Sequence, residues 1–89
     1  MENQKSEQRR HSERAIAALG GLSAAARATN AKSAGAVKQW RVERVPAEFC
    51  PAIEGATRSA ASAAGDAALL VTCEQLRPDV AWREVRAAT

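Results

Sequence analysis

GGLSAAARATNAKSAGAVKQWRVERVPAEFCPAIE, residues 20–54, is the stretch that decides how this chain folds. Gly20-Gly21 is a helix stop. Ser23 caps a short helix from about Ala24 to Thr29, with Leu22 placed just before it where a hydrophobic staple packs back. Ala24, Ala25, Ala26 and Ala28 favour helix and leave a slim surface that a neighbour can approach closely. Asn30 tolerates the left-handed conformation that a tight turn between helices demands. Ser33 caps a second short helix, from Ala34 to about Arg41. On it Val37 and Trp40 lie three apart and face inward, while Lys38 and Arg41, also three apart, point out beside Gln39. Val45-Pro46 then opens a third helix, whose core face carries Phe49 and Ile53. The order is helix, turn, helix, helix, with the turn motif at about 22–41.

The flanks add less. Residues 1–11 are nearly all polar and read as a disordered tail, or a frayed lead into a helix that Ser12 caps and that runs to about Leu19. Ile16 and Leu19 form its apolar stripe. Pro51 predicts either an irregular start to the third helix or a kink in it. Gly55 and Thr57 bring that helix to an end. Residues 58–68 are low in complexity and read as a loop, or as an extension of the helix fraying into one. Leu69-Leu70-Val71 suits an extended segment against the core. Thr72-Cys73-Glu74-Gln75 fits a capping box, and Asp79 suits the cap of a last short helix holding Val80, Trp82 and Val85. The expected fold is all-α: a small helix-turn-helix bundle of four to five short helices, one domain over 12–89, behind a polar N-terminal tail.

Composition sets limits. Of the 89 residues 46% are hydrophobic, but much of that is alanine, so the core is thin and the monomer marginal. A second subunit or a bound ligand would stabilise it by mass action. Cys50 and Cys73 stand 23 residues apart with no CxxC and one lone histidine, His11, which argues against zinc and for two reduced, buried thiols. The start Met1-Glu2-Asn3-Gln4-Lys5 leads into no apolar run, so neither a signal peptide nor a membrane span is expected, and the expected location is the cytoplasm beside the nucleoid. With no paired carboxylates, no phosphate loop and no nucleophile elbow, neither catalysis nor a cofactor is expected.

Charge is unevenly placed. Residues 1–44 hold nine Lys/Arg against four acids, a surplus of five bases, and residues 45–89 hold four against six, a surplus of two acids. A basic half suits a polyanion. The short helix ending at Trp40 has chemistry for a major groove: Gln39 can hydrogen-bond adenine edges, and Lys38 or Arg41 can bind guanine or phosphate. Its N-terminus also favours a phosphate. Taken alone, that helix reads equally as one with a solvated face. The turn and helix before it favour the reader of DNA.

Four segments together resemble a known family: Gly20-Gly21-Leu22-Ser23-Ala24-Ala25-Ala26-Arg27-Ala28; Val37-Lys38-Gln39-Trp40; Arg44-Val45-Pro46-Ala47-Glu48-Phe49-Cys50-Pro51-Ala52-Ile53-Glu54; and Val71-Thr72-Cys73-Glu74-Gln75-Leu76-Arg77-Pro78-Asp79-Val80. They are similar to the YdaS-like branch of the Cro-type repressors, small bacterial and prophage proteins, over roughly residues 13–85. The resemblance implies sequence-specific binding of double-stranded DNA, often as a homodimer, and control of transcription. It places the recognition helix at Ser33–Arg41 and points Lys32, Ser33, Ala34, Lys38 and Gln39 at DNA. Lys32, Lys38, Arg41 and Arg27 would hold phosphates; Gln39 and Ser33 would read bases. Ala25 and Thr29 stand where the family prefers larger aliphatic residues, and Asn30 where glycine is usual. The alternative is an antitoxin-like module whose essential contact is a toxin-like protein, suggested by the acidic second half and Trp82.

Overall fold

The computed structural model describes residues 2–88, with side chains described for 7–87. The first helix, α1, spans Glu2–Ala18. Of the two readings of residues 1–11, the disordered tail is corrected and the lead into a helix is the nearer: residues 2–11 are helical, and residue 1 lies outside the described residues. The reason is a buried stripe written partly in polar residues. Gln8 and Ser12 are 7% and 2% exposed and continue the face of Ala15 and Ile16. Ser12 is no cap; its hydroxyl donates to the Gln8 carbonyl at 3.0 Å, inside the helix. Gly20 and Gly21 end α1 with φ of 99° and 111°, a region in which side chains are strained.

Helix α2 (Leu22–Thr29) starts at Leu22 on Gly21, and Ser23 falls in its first turn rather than at its cap. Asn30 takes the expected left-handed geometry, φ 58° and ψ 33°, and the Ala31 N–H closes back on the Ala26 carbonyl at 2.9 Å. Helix α3 (Ala34–Gln39) is capped as the sequence suggests, the Ser33 hydroxyl accepting from the Ala36 N–H at 3.2 Å. It stops two residues short of Arg41, and Trp40 to Glu43 form the turn that follows.

A 3-10 turn, Ala47–Phe49, leads into α4 (Cys50–Ala64). Pro51 causes no kink, because it sits in the first helical turn where a missing N–H loses no partner. One expectation fails along α4: Gly55 and Thr57 lie inside the helix. Of the two readings of the segment from 58, the extension of the helix is the one found, over residues 58–64. Alanine supplies the propensity, and Gly65, left-handed at φ 65°, supplies the stop. The Thr57 side chain is buried among backbone groups: its hydroxyl lies 2.8 Å from the Ile53 carbonyl and accepts from the Val71 N–H at 3.0 Å.

A second 3-10 turn, Ala67–Leu69, is capped by Asp66, and an extended Leu70–Thr72 passes into α5 (Cys73–Leu76). The capping box of Thr72 and Gln75 forms in both directions. Helix α6 (Trp82–Ala88) is not capped by Asp79, which is taken by Arg77 Nε at 2.9 Å and Nη2 at 2.8 Å. Its anchor is Trp82, buried and donating from Nε1 to the Arg77 carbonyl at 2.8 Å.

The core is Ile16, Val37, Trp40, Val45, Ile53, Val71, Leu76 and Trp82, filled in by alanines and both cysteines. Trp40 leans on Phe49 with ring centres 5.5 Å apart. Cys50 and Cys73 are free and buried, as the sequence implies; burial pushes the two thiols up to about 12 and about 11. All elements among the described residues are helical; none is a strand. The architecture is thus an all-α bundle.

Candidate nucleic-acid interface

Alanine lets α2 and α3 meet closely. Ala25 and Ala26 of α2, Val37 of α3 and Trp40 at its end are all buried in one core cluster. Burying Val37 and Trp40 fixes the roll of α3, so Lys38 and Gln39 stand out in solvent. From Arg14 to Val42 the sequence holds no acidic residue.

Between α2, the turn and the first residues of α3 opens a groove of about 450 Å³, lined by Ser23, Ala26, Arg27, Asn30, Ala31, Lys32, Ser33 and Ala34. Four expected site residues, Arg27, Lys32, Ser33 and Ala34, are brought together there. Ser33 spends an oxygen lone pair on the Ala36 N–H and keeps its hydroxyl proton to donate. Among the described residues Arg27, Lys32 and Lys38 make no ion pair, so their charge faces solvent uncompensated.

Arg41 does not join this group. It lies beyond the end of α3, with Nε 3.9 Å from Glu13 on α1, and it lines a separate groove of about 210 Å³ with Glu13, Ile16 and Ala17. The sequence reading missed Ser23 and Asn30. Their signal was present: Ser23, Arg27 and Asn30 follow at steps of four and three, one face of α2.

The connection behind α3 is tied down by charge. Arg77 donates from Nη1 to the Val45 carbonyl at 3.2 Å and holds Asp79, which also takes Arg44 at 3.4 Å. The hydrogen bonds from Arg77 hold the Asp79 carboxyl down at about 2. Elsewhere Glu54 and Glu74 share Arg86. Among the described residues there is no group of three or more metal-binding side chains, and no helix is long and apolar enough to cross a membrane.

A family described as "Bacterial toxin YdaS" matches residues 13–85 of the chain. The chain is similar to YdaS of Escherichia coli (strain K12), a protein named as a candidate transcriptional regulator, with 45% identity over 74 residues. That alignment covers 81% of this chain and 64% of the relative, so the chain spans less than two thirds of the relative's length. No solved structure matches.

Proposed function

The chain belongs to the bacterial YdaS family, and on that premise we propose that it is a sequence-specific double-stranded DNA-binding regulator of transcription, a Cro-like repressor that acts on the nucleoid. One observation carries the reading: the outer face of α3 and the groove beside it form a stretch with cations and hydrogen-bonding groups and no acid from Arg14 to Val42. In this reading α3 enters the major groove. Lys38 and Gln39 meet base edges, Arg27 and Lys32 hold a backbone phosphate at the α2–α3 groove, Ser33 donates to it, and Ala34 allows close approach. The name of the relative supports a role in regulation.

Selection of bound fragments from random or host DNA tests this. A recurrent site is expected, with affinity falling steeply in salt because each neutralised phosphate releases counterions. Lys38→Ala should leave stability within about 0.5 kcal/mol of the parent, since the side chain is exposed. The same change should weaken binding: uniformly if Lys38 holds a phosphate, at one base position if it reads an edge. Affinity indifferent to both salt and Lys38→Ala would remove the docking.

A homodimer belongs to the proposal, two copies reading half-sites about one DNA turn apart. Protection of two such half-sites, with a sedimentation mass of two chains, is the expected result. The second reading, an antitoxin-like protein-interaction module paired with a toxin-like partner, rests on the acidic second half of the chain, whereas the family's own description names a toxin. A stable complex with a second protein and no enriched DNA site would favour it.

A further inference from the structure

Of the cations expected to contact DNA, Arg41 alone among the described residues has an acid beside it, Glu13. Glu13 Oε1 lies 3.9 Å from Arg41 Nε and 4.0 Å from Arg9 Nε. One carboxylate oxygen therefore serves two guanidinium groups at the seam between α1 and the turn after α3. Neither distance is that of a hydrogen bond, and the Arg41 and Glu13 side chains are 46% and 49% exposed. An exposed pair of this kind is weak, and a phosphodiester can compete with it for the guanidinium. Arg41 lies two residues beyond Gln39, at the exit of the helix proposed to enter DNA.

We propose that Glu13 is a positioning residue for DNA binding: it competes with backbone phosphate for Arg41 at the seam with α1, and so lowers the charge the protein offers to phosphates. The inference rests on the DNA-binding reading above. Salt response is the property controlled. The carboxylate offsets part of one cation's charge at the interface, and the protein reads sequence with less of its affinity supplied by the non-specific backbone term.

The test is a double-mutant cycle read by salt titration on the protein's selected site. Glu13→Gln keeps the side chain's length and removes its charge. It is expected to raise affinity at low salt and to steepen the slope of log affinity against log salt by about 0.9, one further phosphate. Between about 50 and 200 mM salt that slope adds about a 3.5-fold further loss. Removing any acid also raises affinity through the general field of the protein, so the second arm is needed. In an Arg41→Gln background the steepening on Glu13→Gln should shrink or vanish. Thermal unfolding of each variant checks that the half-exposed positions leave the fold intact.

An equal steepening with and without Arg41 overturns the inference while leaving DNA binding in place. So does a parent slope unchanged by Glu13→Gln. A parent chain that binds no DNA at any salt removes this inference and the reading beneath it together, so the two failures are distinguishable.

Discussion

Replacing Thr57 by valine should destabilise the protein by the cost of one orphaned backbone group. Thr57 and Val71 are both fully buried, and the Val71 N–H has the Thr57 hydroxyl as its acceptor at 3.0 Å. The same hydroxyl lies 2.8 Å from the Ile53 carbonyl and 3.2 Å from those of Glu54 and Val71. Valine fills the same volume with no oxygen. The Ile53 and Glu54 carbonyls keep their helical partners within α4, so the loss falls on Val71. A buried donor left unpaired costs about 1–3 kcal/mol. A chain of this length has about 4–13 kcal/mol of stability in total, so the change removes a large share. In a domain this small, about 2 kcal/mol corresponds to a fall of about 8–16 °C in Tm. Far-UV circular dichroism on heating measures it, with Thr57→Ser beside it. Serine keeps the hydroxyl and gives up one methyl group, about 0.8 kcal/mol of burial. The expected order of Tm is parent, then serine, then valine. Valine equal to the parent, or above serine, would refute the assignment of Thr57 as the clasp between α4 and the segment entering α5.

Ser33→Ala removes the cap of α3 and should cost about 1 kcal/mol in urea unfolding, with DNA affinity falling further because the same hydroxyl lines the α2–α3 groove. His11 accepts from Arg14 Nη1 at 2.7 Å in its neutral form, and burial followed by the Arg14 charge lowers its pKa below 6.5. A lowered folded-state value means the unfolded chain takes the proton first. Stability is therefore fully present above pH 6.5 and is lost as pH falls from there through the folded value; the urea midpoint should drop over that window and drop less in His11→Gln. Cys50 and Cys73, with thiols pushed up to about 12 and about 11, should resist alkylation at pH 8 in the native protein and react at once in denaturant.

What was legible in the sequence was decided within a few residues. Asn30 at the turn, Ser33 at the cap and the pair Thr72 and Gln75 each act on backbone three or fewer positions away, and each is found as read. Val37 and Trp40 carried enough apolar surface to fix the roll of α3 without help. Two of the misread helices carry polar residues on the buried face. Gln8 and Ser12 on α1, and Thr57 on α4, are polar residues inside the fold, so a search for hydrophobic periodicity starts α1 too late and ends α4 too soon. Each residue is tolerated there because its polar group has a partner or an opening, a tertiary condition that spacing does not record.

The candidate site divides along the same line. Arg27, Lys32, Ser33 and Ala34 converge because one tight turn joins the helices that bear them, and a local pattern is sufficient to place them. Arg41 keeps the helical spacing from Lys38, yet α3 ends before it, and Glu13, 28 positions earlier, lies beside its guanidinium. Ala25 and Thr29 make the complementary point. Small residues stand there, yet Ala25 is closed from solvent and the Thr29 hydroxyl donates to its carbonyl at 2.8 Å. Asn30 likewise adopts the left-handed geometry expected of glycine. A departure from a family's usual residue thus weakens the motif only where it leaves a gap, an orphaned group or a forbidden angle. At Asn30 the replacement adopts the same backbone angle, and at Thr29 the added hydroxyl is not left without a partner, so neither position shows such a fault.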